Sequence, residues 1–117
     1  MNVIACLLAA ILLLGGTAAY AGGQAGTSPE PVRITRTAVD GLGHYYFYFS
    51  SNVSNSPSCA QQPATGFEID GTTEEGKVQV TWADGMYALS KLVVVLGTGE
   101  CDADTGYEMF TFGYSIN

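Results

Sequence analysis

Positive charge is scarce in this chain. Four Lys and Arg stand against eleven Asp and Glu, for a formal net charge of −7. So acidic a chain is repelled by phosphate backbones, which argues against nucleic acid as a partner. Anionic membrane surfaces are disfavoured for the same reason. Histidine occurs once, as His44. With no second histidine and no free cysteine beside it, His44 does not announce a zinc site. Nor does it have a nucleophile to serve as base: Gly-x-Ser-x-Gly is missing. It reads as a solvated loop histidine. A phosphate cradle is lacking too, because Gly97-Thr98-Gly99 is short and no Lys-Ser/Thr follows it. No metal and no cofactor are expected, and the chain does not read as an enzyme.

Long apolar runs are confined to Val3–Leu14, VIACLLAAILLL, which is short for a membrane span. Ala19-Tyr20-Ala21 follows as a small-x-small cleavage site. Residues 1–21 are therefore expected to be a signal peptide, although Met1-Asn2 carries no basic side chain. Cys6 sits at the start of the apolar run, not after it, and is not a lipoprotein cysteine. The mature protein is expected to be secreted or periplasmic, with no stable membrane insertion. Only Cys59 and Cys101 remain after cleavage, and two cysteines in an exported domain have one intramolecular pairing. A bridge closing a loop of about 40 residues contributes roughly 3–4 kcal/mol in the chain-entropy picture.

Residues 22–31, GGQAGTSPEP, are small, polar and broken by proline, and read as a flexible leader. Residues 32–117 read as one domain. VRITRTAV alternates with period two, Asp40-Gly41-Leu42-Gly43 turns, and Tyr45 to Ser50 returns as a second strand. Alternation puts Tyr45, Phe47 and Phe49 on one face, the better candidate for core, and Tyr46 and Tyr48 on the other. Phe67 and Ile69 share a face of a short strand. Residues 71–89 are ambiguous. KVQVTW, a turn and MYAL make a hairpin; alternatively Thr72 and Glu75 form a capping box. Val78, Trp82, Met86 and Leu89 would then share a helical face. KLVVVLG is a buried strand. YEMFTFGYS is the last strand, alternating Glu108, Phe110 and Phe112 against Tyr107, Met109 and Thr111.

The stretch from Cys59 to Cys101 combines several short motifs. They are Phe67-Glu68-Ile69-Asp70, Thr72-Thr73-Glu74-Glu75-Gly76-Lys77, Met86-Tyr87-Ala88-Leu89, a Val-rich strand and Gly97-Thr98-Gly99-Glu100-Cys101. In this combination the chain resembles a family of short exported bacterial proteins. More distantly, it is similar to the B subunits of subtilase cytotoxin, which form rings and bind glycans. The resemblance implies a mainly β fold with one helix, a small OB-like Greek-key barrel. It favours the helix for residues 73–90, and in ring-forming relatives that helix lines the pore. Ser90-Lys91 stands where the family has Gly-Lys, so the helix lacks a glycine cap. The sugar-contacting serine of the toxin subunits aligns with Glu30 here, with Ser28 nearby, so that contact does not carry over.

Two further clusters have simple readings. Asp102-Ala103-Asp104-Thr105-Gly106 opens like a calcium loop, but Glu108 comes too early to complete it. Glu68, Asp70, Glu74 and Glu75 suit a helix dipole and its cap better than a glycosidase pair. Tyr46 and Tyr48 remain as candidate ligand-binding residues, since outward rings on early barrel strands stack on sugars or join subunits. The expectation is a non-enzymatic exported binding domain with a glycan or protein partner, able to form a ring-like homo-oligomer. An envelope interaction protein without a small ligand is the alternative.

Overall fold

The chain segment HYYFYF places an aromatic ring at every position, with both phenylalanines at alternate sites. The computed structural model describes residues 22–117 and makes this segment β3, His44–Phe49. Tyr45, Phe47 and Phe49 are buried, whereas His44, Tyr46 and Tyr48 are half-buried on the opposite side. The signal peptide expected over residues 1–21 lies outside the described residues.

The other strands are β1 (Gln24–Ala25), β2 (Ile34–Val39), β4 (Gly66–Asp70), β5 (Leu92–Cys101) and β6 (Glu108–Ile116). One helix, α1 (Glu74–Ala88), lies between β4 and β5. The strands form one curled half-barrel sheet in the order β1-β5-β6-β4-β3-β2. All pairs are antiparallel except β4 with β6. The segment ahead of β2 also bridges to β5, where Val32 and Val93 exchange backbone hydrogen bonds of 3.0 and 2.7 Å. One continuous stretch thus pairs with β5 at its start and with β3 at its end. That is the arrangement of a small OB-like Greek-key barrel.

Part of the segment expected to be leader is built into the sheet. Gln24 and Ala25 pair with Leu96 and Val95, and Ala25 is completely buried. Small size is what admits this segment to the barrel wall, and small size is also what makes it look like a linker. Its fastening is Glu108, only 1% exposed, whose Oε2 accepts from the backbone N–H of Gly23 and of Gly99, each at 2.8 Å. A Cβ on Gly97 would collide with this carboxylate, so the strand beside it has to be glycine there.

The core is aromatic. Phe47 packs edge-on against Phe49 at 5.3 Å and Phe110 at 5.5 Å, and lies 6.3 Å from Phe67. Trp82 of α1 stacks on Phe110 from outside at 5.9 Å. Phe112 follows a different course from Phe110. Leu96 pairs with Phe112 but Gly97 with Phe110, so Thr111 is an extra residue that breaks the alternation. Phe110 stays buried and Phe112 is 55% exposed. Cys59 and Cys101 form the disulfide, with Cα atoms 6.0 Å apart, tying the loop after β3 to the end of β5.

Residues 74–88 are helical, but the cap and the buried face differ from the sequence reading. Thr72 is occupied, donating its N–H and hydroxyl to Asp70 Oδ1. Thr73 caps instead, its Oγ1 accepting from Gly76 N at 2.9 Å, with Glu74 and Glu75 in the first turn. The helix buries Gly76 and Ala83, flanked by Val80, Trp82 and Met86, while Val78 and Leu89 face outward. Close approach selects the small residues: a Cβ on Gly76 would strike the Asp70 carbonyl. At the other end Ser90, with φ 49, takes the left-handed position usually held by glycine. Lys91 N donates to Met86 O and Ser90 N to Tyr87 O, completing a Schellman motif.

Two outcomes follow for unfolding in urea. Glu108→Ala leaves two backbone N–H groups without their acceptor and lowers stability by about 3 kcal/mol, and Glu108→Gln, which keeps an acceptor, loses less. Ser90→Gly relieves the left-handed strain and raises stability by about 0.5 kcal/mol.

Candidate functional site

Because strand side chains alternate, the face of β3 opposite the core carries His44, Tyr46 and Tyr48. The register sets Tyr46 opposite Ala38 on one side and Glu68 on the other, and Tyr48 opposite Arg36. The β2–β3 turn contributes Asp40. The loop of residues 102–107, between β5 and β6, contributes Asp102, Thr105 and Tyr107. A cluster of tyrosines, carboxylates, one histidine and one arginine results, assembled from three strands, a turn and a loop.

Tyr46 and Tyr48 are not open platforms. The Tyr46 ring packs on Tyr107 at 4.8 Å, and its hydroxyl donates to Asp40 Oδ2 at 2.9 Å. The Tyr48 hydroxyl meets the Tyr107 hydroxyl at 2.9 Å, and the Arg36 guanidinium lies 4.0 Å over the Tyr48 ring. Tyr107 thus joins the two expected residues. Nothing in the sequence separates it from the following strand, since its place depends on β6 starting one residue later.

Asp40 organises one side. Its Oδ1 accepts from the N–H groups of Leu42 and His44, and its Oδ2 accepts from His44 Nδ1 at 2.7 Å and from Tyr46. A carboxylate can only accept here, so Nδ1 of His44 carries a proton. Desolvation opposes the charge on Asp40, but the bonds from His44, Leu42 and Tyr46 outweigh it and hold the carboxyl well below the ordinary range. The bond to Asp40 in turn raises the His44 pKa; desolvation lowers it, and the charges of Asp40, Glu68 and Asp102 raise it further. His44 is therefore not a solvated loop residue. It begins β3, is 19% exposed, and its Nε2 lies 3.6 Å from Asp102 Oδ2.

Glu68 lies on the other side and is completely buried. Its Oε1 accepts from Thr105 Oγ1 at 2.7 Å, and its Oε2 meets no donor. It faces the Asp102 carboxyl, so a hydrogen bond between the two requires a proton on one of them. Desolvation is the largest influence on Glu68. With the neighbouring Asp102 it lifts the pKa to about 7, against the opposing pull of Thr105 and His44. The Asp104 N–H, donating to Asp102 Oδ1, is the main cause that keeps Asp102 below the ordinary range. Glu68 does not act with the acids at the helix start: it is buried against Thr105, whereas Asp70 Oδ1 accepts from Thr72 ahead of the helix. The calcium-loop acids are not brought together either: Glu108 is turned inward to Gly23 and Gly99, away from Asp102 and Asp104.

A cleft of about 370 Å³ lies elsewhere, between α1 and the β2–β3 turn, lined by Val39, Tyr45, Lys77, Val80 and Thr81. It gathers few polar groups. The His44–Glu68–Tyr107 face is the one where polar groups converge, and we take it as the candidate site.

Its titration has a definite sign. Between pH 4.5 and about 7 the folded protein retains a proton on Glu68 that the unfolded chain releases. Stability from this group therefore falls as pH rises through that window. His44, also raised, adds to the fall above pH 6.5. Asp40, Asp70 and Asp102, all lowered, cause loss only as pH falls below 3.8. Urea midpoints measured from pH 3 to 8 should decline above about pH 5. In Glu68→Gln, a neutral mimic of the protonated acid, the decline between pH 5 and about 7 should flatten. An equally steep decline in the variant would remove Glu68 as its source.

No protein-family model matches the chain, and neither a curated protein nor a solved structure matches it.

Proposed function

We propose that this protein is an exported, non-enzymatic binding domain whose ligand is a glycan. In this reading the ligand sits on the outer face of β3 and β4, between the β2–β3 turn and the loop of residues 102–107. The observation that carries it is the convergence, on one half-exposed face, of the Tyr48–Tyr107 hydroxyl pair, Arg36, Asp40 and Asp102. Such groups donate to and accept from sugar hydroxyls. The position supports the reading as well: OB-folds bind oligosaccharides and oligonucleotides on the face of their second and third strands and the adjoining loops. Those strands are β3 and β4 here. The net charge of −7 disfavours the oligonucleotide. The resemblance to exported glycan-binding subunits points the same way.

A second reading, a protein partner or a ring-like homo-oligomer, is favoured by the outward rings of β6. Phe112 and Tyr114 lie 5.9 Å apart and are 55% and 37% exposed. Paired exposed aromatics of this kind are typical of interface cores. Among the described residues no helix is long and apolar enough to cross a membrane.

A glycan array probed with the purified protein distinguishes the two readings. Binding of a defined glycan is expected, weakened about tenfold by Tyr48→Phe or Tyr107→Phe and more by Arg36→Ala, as for the loss of one good hydrogen bond. Array binding unaffected by these changes, or no binding together with assembly that Phe112→Ser abolishes, would favour the second reading.

A further inference from the structure

Three side chains in the candidate face each commit one atom to a neighbour outside the trio and turn another toward the rest of the trio. His44 Nδ1 is taken by Asp40, leaving Nε2. Glu68 Oε1 is taken by Thr105, leaving Oε2, an unpartnered atom of a completely buried residue. Asp102 Oδ1 is taken by the Asp104 N–H, leaving Oδ2, which lies 3.6 Å from His44 Nε2. One ligand atom from each residue lies within 4.8 Å of the other two.

We propose that His44, Glu68 and Asp102 form a binding site for a divalent transition-metal ion, zinc being the best fit. The first reason is electrostatic. Two acids face one another across this gap, and without an ion only a shared proton lets the buried Glu68 Oε2 meet Asp102. A doubly charged cation satisfies both, which the single imidazole cannot. The second reason is geometric. Ligand atoms about 2.1 Å from a tetrahedral ion stand roughly 3.4 Å from each other; the 3.6 Å separation of His44 Nε2 and Asp102 Oδ2 is close to that, and the trio, within 4.8 Å throughout, closes on the ion by side-chain rotation.

The third reason is the outer layer. Metal-binding imidazoles commonly donate their other N–H to a carboxylate, which fixes the tautomer and strengthens the ligand. Asp40 does this for His44 and is itself held by Tyr46 and two backbone N–H groups. Thr105 and Asp104 orient the two carboxylates in the same way. One imidazole and two carboxylates suit zinc or manganese, whereas calcium asks for six or more oxygens. Three protein ligands leave a fourth position, on the side where His44 and Asp102 are 19% and 20% exposed, open to water or a ligand hydroxyl. The site stands whether or not a glycan binds, since every atom in it belongs to the chain.

The test uses the untagged full-length protein, stripped with EDTA and dialysed at pH 7.5, titrated calorimetrically with zinc, manganese and calcium chlorides. The expected result is one zinc per chain at micromolar affinity or tighter, weaker manganese binding and no calcium binding. Glu68→Gln and Asp102→Asn should each weaken zinc at least a hundredfold, and Asp40→Asn about tenfold. The imidazole ¹⁵N resonance of Nε2 should shift on zinc addition while Nδ1 stays protonated. Asp102→Asn, in a surface loop, serves if Glu68→Gln does not fold. Lack of stoichiometric zinc binding, or binding left intact by Asp102→Asn, would overturn the proposal.

Discussion

The barrel depends on one buried carboxylate. Glu108 sits where the sheet must close, and its Oε2 joins the N-terminal segment, through Gly23, to the end of β5, through Gly99. An acidic side chain is accommodated in that position because two backbone N–H groups donate to it, and because glycine at position 97 leaves it room. The clasp reinforces a short contact, since β1 pairs with β5 over two residues, extended by the hydrogen bond from Gly97 N to Gly23 O. The aromatic core under it, centred on Phe47, depends in turn on a closed wall. The disulfide ties down the same end of β5, where Cys101 pairs with Glu108.

Glu68 is the counterpart on the outer face. Both acids are buried and both retain one oxygen without a donor, but their surroundings differ. Glu108 is held by backbone that the barrel requires. Glu68 is held on one oxygen by Thr105, and its other oxygen faces Asp102 and His44. The first arrangement serves closure of the sheet. The second concentrates negative charge beside a histidine whose proton is fixed by Asp40. Buried polar groups that structure alone does not satisfy are where a ligand is best sought.

Much of the fold was readable in the chain. Period-two alternation separated Phe47 and Phe49 from Tyr46 and Tyr48, and cysteine counting found the bridge. The helix could be placed only with help from resemblance. The errors share a cause. Pattern rules treat each segment alone, so the leader looked loose, Val78 and Leu89 looked buried, and Phe112 was assigned to the face of Phe110. Sheet closure, the approach of a small-residue helix face and a one-residue bulge at Thr111 are decided by neighbouring segments. Of the candidate site, Tyr46 and Tyr48 were legible because they lie on one strand. Glu68 was visible only as one of several acids, and Tyr107 not at all.

The sequence by itself determined the acidity of the chain and the faces of β3, and it pointed to the Cys59–Cys101 bridge once Cys6 was set aside with the expected signal peptide, because composition and local alternation are properties of the chain. Only the tertiary structure decided that Asp40, His44, Glu68, Asp102 and Tyr107 meet. They belong to a turn, two strands and a loop far apart in the chain, and antiparallel pairing with parallel closure of β4 on β6 brings them to one face. Whether an acid there ends as barrel clasp or as candidate ligand depends on which backbone N–H groups reach it, and no local pattern encodes that.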